Sequence, residues 1–276
     1  MTTWRRVDVE WPERPHFNLA YEEALALAVA KGQAPPTLRF WKNDRTIVLG
    51  RHQCAEIEVN FDACERRGVK VVRRFSGGGA VYHDQGNLNY TLVLARNTRS
   101  ELVARHPGFA LAGEAVVAGL RRLGVDAQFV PVNDISVGDR KISGLAGTLS
   151  REALLYHGCL LVSSDLAVLG EVLNVAPEKL ESRAVRSVRK RVATLDELLG
   201  RAVGMDEVKD ALTQGVSEVL GVEVEPGVAL EWELEKARIL WETRYTTDAW
   251  ALGPCRRCPC RREPDPRFLK SIVSRE

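Results

Sequence analysis

Arg73-Arg74-Phe75-Ser76-Gly77-Gly78-Gly79-Ala80-Val81-Tyr82-His83-Asp84-Gln85-Gly86-Asn87-Leu88-Asn89 decides how the rest of the chain is read. An apolar run, Val69 to Val72, leads into it, and a second, Tyr90 to Leu94, leads out. The three glycines are therefore expected to make a tight turn between two strands. Glycine permits positive φ and close backbone approach to a ligand. Successive N–H groups in such a turn can form a concave anion site, and flanking arginines add charge and forked hydrogen bonding. No Gly-Lys-Ser/Thr follows, so this is not a Walker A loop. A strand rather than a helix comes next, so it is not a dinucleotide-binding fingerprint. Taken alone, the stretch is a site for a small molecule bearing phosphate or carboxylate; the alternative is a glycine-rich hairpin with surface arginines.

Around this stretch lie 276 residues, 45% hydrophobic and 28% charged, the make-up of an ordinary globular protein. A net charge of +2 argues against nucleic acid as a primary partner. Met1 to Pro12 lacks the apolar core of a signal peptide, and no apolar run reaches transmembrane length. The expectation is a cytoplasmic protein without a membrane partner. Six cysteines, three of them scattered as Cys54, Cys64 and Cys159, do not make a secreted disulfide scaffold.

In chain order, Trp4 to Val9 reads as a strand. His16 to Lys31 reads as a helix with Leu19, Ala20, Ala24, Leu27 and Ala28 on one face and Glu22 and Glu23 off it. Thr37 to Trp41 and Thr46 to Leu49 are strands joined at Lys42-Asn43-Asp44. A short helix capped by Asn60 or Asp62 ends near Gly68. Val69 to Arg74 and Asn89 to Ala95 are strands, Pro107 to Gly124 a helix, and Ala127 to Val162 a strand meander. Asp165 to Leu173, Met205 to Leu220 and Glu231 to Tyr245 are helices. The class is α+β: a mixed, mostly antiparallel sheet with helices packed on it, in one domain over 1–252, followed by a Cys/Arg-rich tail over 253–276.

Three further constellations bear on chemistry. Asn133-Asp134 and Lys141-Ile142-Ser143-Gly144 sit on the arms of a hairpin turning at Gly138-Asp139. Alternation places Lys141 and Ser143 on one face. Lys141 and Asp134 make either a solvated surface pair or an inward lysine that meets a phosphate, with Asp134 orienting it or holding a metal ion. In Tyr156-His157-Gly158-Cys159, His157 and Cys159 share a face; His157 reads as a satisfied core residue, with Cys159 as the alternative nucleophile. In the tail, Cys255, Cys258 and Cys260 supply three soft ligands for a zinc site that needs a fourth. The alternative is a mobile basic segment.

Taken together, these residues resemble the lipoate–protein ligase family, which groups with the biotin–protein ligase and lipoyl/octanoyl transferase catalytic domains. Phe17-Asn18-Leu19-Ala20 with Glu22-Glu23 resembles the family's first-helix entry, and Gly50-Arg51-His52-Gln53 its Gly-Arg-x-Gln. Arg73 to Asn89 matches almost position for position. Asn133-Asp134-Ile135, Lys141 to Gly144 with Ala146, His157-Gly158 and Ser187-Val188-Arg189 complete a match over about Trp4 to Leu252. The resemblance implies a biotin/lipoate protein ligase-like fold and a two-step reaction. Lipoate and MgATP give lipoyl-AMP, and the lipoyl group then passes to a lysine of an acceptor lipoyl domain. It implies Lys141 as the catalytic residue. It implies ATP binding by Arg74, Gly79, Ala80, Val81, Tyr82, Asp134 and Lys141. It implies lipoate binding by Arg74, Ser76, Gly77, Gly78, Gly79, His83, Lys141, Ser143 and Gly144.

Two departures shape the expectations. Many ligases of this family continue into a C-terminal domain where this chain has only its tail, which implies a separate accessory subunit or a catalyst that works without one. Transferases of the same fold use a cysteine just before the lysine hairpin or after the His-Gly strand. Ala127 to Ser136 and Asn174 to Arg183 contain none, leaving Cys159 for an ATP-independent octanoyl or lipoyl transfer. A non-enzymatic acyl- or nucleotide-binding module is the remaining alternative, and retention of Lys141 argues against it.

Overall fold

The computed structural model describes residues 3–96, 103–104, 106–149, 152–174 and 192–253. The cysteine cluster of the tail and the Ser187-Val188-Arg189 motif lie outside the described residues.

Eleven strands are described. They are β1 (Thr3–Val7), β2 (Thr37–Trp41), β3 (Thr46–Leu49), β4 (Lys70–Arg73), β5 (Val81–His83), β6 (Asn87–Ala95), β7 (Gln128–Val130), β8 (Asp134–Val137), β9 (Arg140–Leu149), β10 (Ala153–Leu161) and β11 (Glu223–Pro226). Eight form one sheet in the order β11-β1-β2-β6-β10-β9-β8-β7, and three form a second, β4-β3-β5. β1 runs parallel to both β11 and β2, whereas the run β2-β6-β10-β9-β8-β7 of the same sheet pairs antiparallel, and in the small sheet β3 pairs parallel with β4 and antiparallel with β5. The mixed, mostly antiparallel α+β architecture expected from the sequence is what the chain adopts.

The principal helices are α1 (Pro15–Ala30), α2 (Ala55–Glu58), α3 (Phe61–Arg67), α4 (Ala110–Arg122), α5 (Leu166–Val172), α6 (Leu195–Leu199), α7 (Met205–Leu220), α8 (Glu231–Leu240) and α9 (Asp248–Leu252). One core cluster joins Trp4, Leu38 and Leu92 of the large sheet to Leu111, Val116, Leu212 and Val216 of α4 and α7. A second joins α1 to Ala237 and Leu240 of α8, with Trp41 and Val93 beneath. A third packs α3 and α5 on the small sheet. α3 ends as its sequence dictates: Asn60 Oδ1 accepts from the Ala63 amide, and Gly68 closes the helix at φ 63°.

Three sequence expectations are revised. The glycine stretch is not a hairpin turn. It leaves β4 and returns on β5, and these strands flank β3 rather than pairing with each other. The chain thus crosses the end of β3, which brings Gly50 under the turn. Glu22 is not on a polar face: it is fully buried, because α1 is covered on both sides by sheet and α8. Finally, the helix from Glu231 changes to a π-helical turn over Trp241–Tyr245, where Tyr245 donates to Glu23.

Candidate active site

Arg73 and Arg74 lie side by side in sequence and do different work. Arg73 Nη1 donates to the carbonyls of Gly50 and Gln53 and Nε to that of Ala251, while Trp250 Nε1 donates to the Arg73 carbonyl. It ties α9 and the 50–53 loop to β4. Arg74 turns the other way and folds the glycine stretch around itself. Its Nε reaches Ser76 Oγ (3.1 Å), Nη1 the Val48 carbonyl (3.1 Å), and Nη2 the carbonyls of Gly77 (2.7 Å) and Gly79 (2.8 Å). Burial pushes its pKa down to about 10, so it stays charged at neutral pH. With the carbonyls drawn toward the guanidinium, no described residue accepts from the amides of Gly77, Gly78 or Gly79. Free amides around a buried cation are the expected form of an anion-binding turn.

Space for this arrangement comes from Gly50. A Cβ there would lie 2.1 Å from the Gly78 carbonyl oxygen and 3.3 Å from Arg74 Nη2. Gly50→Ala is therefore expected to push the turn off its seat and lower turnover about 100-fold, the usual consequence of an ångström-scale misplacement. Near-native thermal stability with lost ligand affinity would confirm a local effect, and unchanged kinetics would refute it.

The turn forms one wall of a cleft enclosing about 600 Å³, including its open mouth. Of the residues that the resemblance assigns to ATP or lipoate, Arg74, Gly79, Ala80, Val81, His83, Lys141 and Gly144 line it. Ser76, Gly77, Gly78, Tyr82, Asp134 and Ser143 do not line it but stand behind the lining or beside it. Leu19, Trp41, Val48, Asn89, Asn133, Leu145, Ala146, His157, Gly158 and Cys159 complete the walls. The lining mixes apolar walls with a few convergent polar groups, as small-molecule sites do.

Lys141 enters from β9. Its ammonium lies 2.6 Å from Asp134 Oδ1 on β8, both side chains about 40% exposed. Gly144 makes room for it, since a Cβ there would come within 2.9 Å of Lys141 Nζ. The backbone of Lys141 is held by a bridge to Val192 and by the Ala193 amide. The expected pairing of Lys141 and Ser143 on one face is overturned by a register shift: Ile135 pairs with Ser143, but Ser136 pairs with Lys141. A bulge breaks alternation. Ser143 is buried and its hydroxyl meets Tyr90 Oη at 2.9 Å.

Behind the turn runs a buried polar chain. Ser76 Oγ meets His157 Nε2 at 2.8 Å, and His157 Nδ1 meets Glu22 Oε1 at 2.9 Å. Thr91 Oγ1 donates to the same carboxylate oxygen at 2.7 Å and accepts from Trp41 Nε1. Burial opposes ionisation of Glu22, but His157 and the hydrogen bonds from His157 and Thr91 outweigh it and hold the carboxyl below its ordinary range. His157 is thus a satisfied residue that also faces the cleft. Cys159 faces the cleft as well; burial raises its thiol pKa against the opposing pull of Lys141.

A glycine turn with free amides, a facing lysine and an apolar pocket define a small-molecule site suited to an anionic group on an apolar body. The match to the lipoyl protein ligase A/B catalytic-domain model over residues 14–217 is decisive, and the chain belongs to that family. Lipoate-protein ligase A subunit 1 of Thermoplasma acidophilum is 38% identical over 259 residues, covering 90% of this chain and 96% of that protein. Octanoyltransferase LipM of Kyrpidia tusciae is 31% identical over 273 residues, covering 91% and 98%. Among solved structures, the bi-partite lipoate protein ligase described with its E2 lipoyl domain from T. acidophilum matches with a TM-score of 0.82 at 36% identity, covering 92% of this chain and 97% of that one. A lipoate-protein ligase A bound with ATP matches at 0.79 and 35% identity, covering 91% and 99%. No helix among the described residues is long and apolar enough to cross a membrane.

Proposed function

We propose that this chain is an ATP-dependent lipoate–protein ligase. The observation that carries the reading is Lys141. Its ammonium stands at a cleft walled by the glycine turn, beside one carboxylate that is itself half exposed. In the first step a carboxylate oxygen of lipoate (or octanoate) attacks the α-phosphorus of ATP and pyrophosphate leaves. Both reactants are anionic, so the barrier is largely charge repulsion. An ammonium between the carboxyl oxygen and the α-phosphate, with the amide of Gly79 and the buried charge of Arg74, offsets that repulsion. Gly79, Ala80, Val81 and the Tyr82 backbone would contact the nucleotide, and the apolar wall at Leu19, Val48 and Leu145 the acyl chain. In the second step the acceptor lysine amine attacks the acyl carbonyl and AMP leaves.

Among the described residues no cluster of three or more His, Cys, Asp or Glu could hold a metal. The donor set near Lys141 is one carboxylate, Asp134. That suits Mg²⁺ arriving on the nucleotide, which commonly takes only one or two protein carboxylates. Asp134 would then contact the ion while releasing Lys141 to the phosphate. Zinc at Cys255, Cys258 and Cys260 concerns residues outside those described. The relatives support the partners of this reading: an archaeal ligase that is bi-partite and described with its E2 lipoyl domain favours a lipoyl domain as acceptor and a separate subunit that would assist activation here.

The test is an acyl-transfer assay on an apo-lipoyl domain, with and without a candidate accessory protein. ATP-dependent transfer, raised several-fold or more by the accessory protein, is expected. Full lipoyl-AMP formation by the isolated chain would remove the accessory subunit from the reading. A second reading rests on Cys159, which lines the cleft, and on the octanoyltransferase relative. Transfer from an octanoyl thioester without ATP, lost in Cys159→Ser, would establish it in place of the ligase.

A further inference from the structure

Cys54 opens α2, is only 6% exposed, and has its sulfur in a disulfide. The chain contains six cysteines, and Cys64 and Cys159 are free thiols. Within the chain, only Cys255, Cys258 and Cys260, which lie outside the described residues, remain as partners for Cys54. The described residues bring the two segments together independently of that elimination. Arg73 Nη1 donates to the carbonyls of Gly50 and Gln53, both at 2.8 Å, and its Nε donates to the Ala251 carbonyl at 3.0 Å. A Cβ on Gly253 would lie 2.8 Å from Arg73 Cζ, so Gly253 rests on the same guanidinium that holds Gln53. Cys54 follows Gln53 directly, and Cys255 is two residues past Gly253. Two residues of extended chain span about 7 Å, and the Cα atoms of a disulfide stand about 4–7 Å apart. The pairing repeats covalently a tie that Arg73 already makes with hydrogen bonds.

What the tie holds is the seat of the glycine turn. Gln53 Oε1 accepts from the Gly50 amide at 2.8 Å, and the Gln53 amide donates to the Gly50 carbonyl at 3.1 Å. The Arg51 amide donates to the Ser76 carbonyl at 2.9 Å, and Gly50 lies against Gly78. A covalent anchor at residue 54 restricts the 50–53 loop. Through Ser76 and Gly78 it also restricts the turn whose Gly79 lines the cleft.

We propose that Cys54 is joined to one of Cys255, Cys258 and Cys260, and that this bond is a thiol-sensitive strap on the seat of the glycine turn. A small dithiol opens it by exchange. One thiolate of the dithiol attacks the bond, a mixed disulfide forms, and the second thiol resolves it. The dithiol gives up two electrons and two protons and becomes a cyclic disulfide, while Cys54 and its partner leave as thiols; the cyclic disulfide closes the strap in reverse. In a reducing compartment such bonds are usually transient and redox-sensing. The pairing also bears on the tail as a metal site. With one tail cysteine bound to Cys54, two remain there, short of the four ligands of a closed zinc site. The proposal needs only the turn and its loop and does not depend on the ligase reading.

The first arm of the test maps the bond. Full-length protein purified without reductant is denatured in iodoacetamide, digested and analysed by mass spectrometry, with Cys54→Ser as the blank. The peptide carrying Cys54 should be linked to one carrying Cys255, Cys258 or Cys260 and be released by dithiothreitol, while Cys64 and Cys159 are alkylated. Alkylation of Cys54 without reductant overturns the pairing, whether or not zinc is released alongside.

The second arm follows amide hydrogen exchange in the unmodified protein with and without dithiothreitol, so it needs no variant to fold. Reduction should speed exchange on the order of 10-fold in peptides covering 49–54 and 74–80 and leave α4 and α7 unchanged, the pattern of local opening. Exchange in those two peptides that ignores reduction overturns the strap even where the bond is found. Exchange that rises equally in α4 and α7 also overturns it, since the bond then stabilises the whole fold without acting on the turn. Failure of the ligase reading would show instead as acyl transfer without ATP, which neither arm measures.

Discussion

Lys141→Ala is expected to lower acyl-adenylate formation by a factor on the order of 10²–10³, the usual loss when one pre-positioned charge-stabilising donor is removed, while leaving the fold intact. Both halves of that expectation come from the geometry. The ion pair with Asp134 is about 40% exposed on each side, and such pairs contribute roughly 0–1 kcal/mol to stability. The backbone of residue 141 is fixed independently through Val192 and Ala193. Truncation therefore removes charge from the cleft without opening a core cavity. Pyrophosphate exchange measured beside a denaturant melt separates the two outcomes. Wild-type exchange in Lys141→Ala would sink the assignment of this lysine to the adenylation step. Asp134→Asn provides a control: loss of the carboxylate should raise the requirement for Mg²⁺ far more than it changes binding of lipoate alone. An equal change in both would make Asp134 merely the counter-ion of Lys141.

The strands on either side of the glycine stretch and the lysine hairpin are legible because their signals are local. Three glycines, two arginines and a Lys-x-Ser-Gly pattern state their backbone and charge needs within a few residues. What escaped local reading depends on long-range placement. Alternation put Lys141 and Ser143 on one face, but it cannot register the shift at Ile135/Ser136 that sends Ser143 to Tyr90. Helical periodicity counted Glu22 as polar and therefore outward. Only the approach of β10 and β6 supplies the His157 and Thr91 partners that make its burial tolerable. The parallel pairing of β1 with β11 joins residues more than two hundred positions apart, and no turn signature announces such a contact. The resemblance implied a ligand role for Arg74 alone; the work of Arg73, which clamps α9 while Arg74 shapes the turn, depends on contacts that no local pattern announces.

Glu22→Ala should be the most damaging single change outside the cleft, destabilising the chain by about 3 kcal/mol, because it strands two buried donors, His157 Nδ1–H and Thr91 Oγ1–H, on a carboxylate site that is 0% exposed. In a domain of this size that corresponds to a fall of roughly 5–10 °C in Tm. Glu22→Gln keeps one acceptor oxygen and should cost about 1 kcal/mol. The two differ in pH behaviour as well. The Glu22 carboxyl is held below its ordinary value of 4.5 in the folded chain. A depressed carboxylate stabilises fully above the unfolded pKa and loses that contribution as pH falls through the folded one. The stability advantage of the unmodified protein over Glu22→Gln should therefore be constant above about pH 4.5 and shrink below it. Turnover carries the further consequence. Among the described residues the Ser76 hydroxyl meets only His157 and Arg74, while its carbonyl accepts from the Arg51 amide, so an imidazole freed from Glu22 releases the Ser76 side chain and loosens the amides that follow. At a temperature where Glu22→Gln is fully folded by circular dichroism, adenylate formation should still be reduced about 10-fold or more, because a loosened turn presents its amides out of position. Full activity in folded Glu22→Gln would show that the chain from Glu22 through His157 to Ser76 stabilises the fold without positioning the turn.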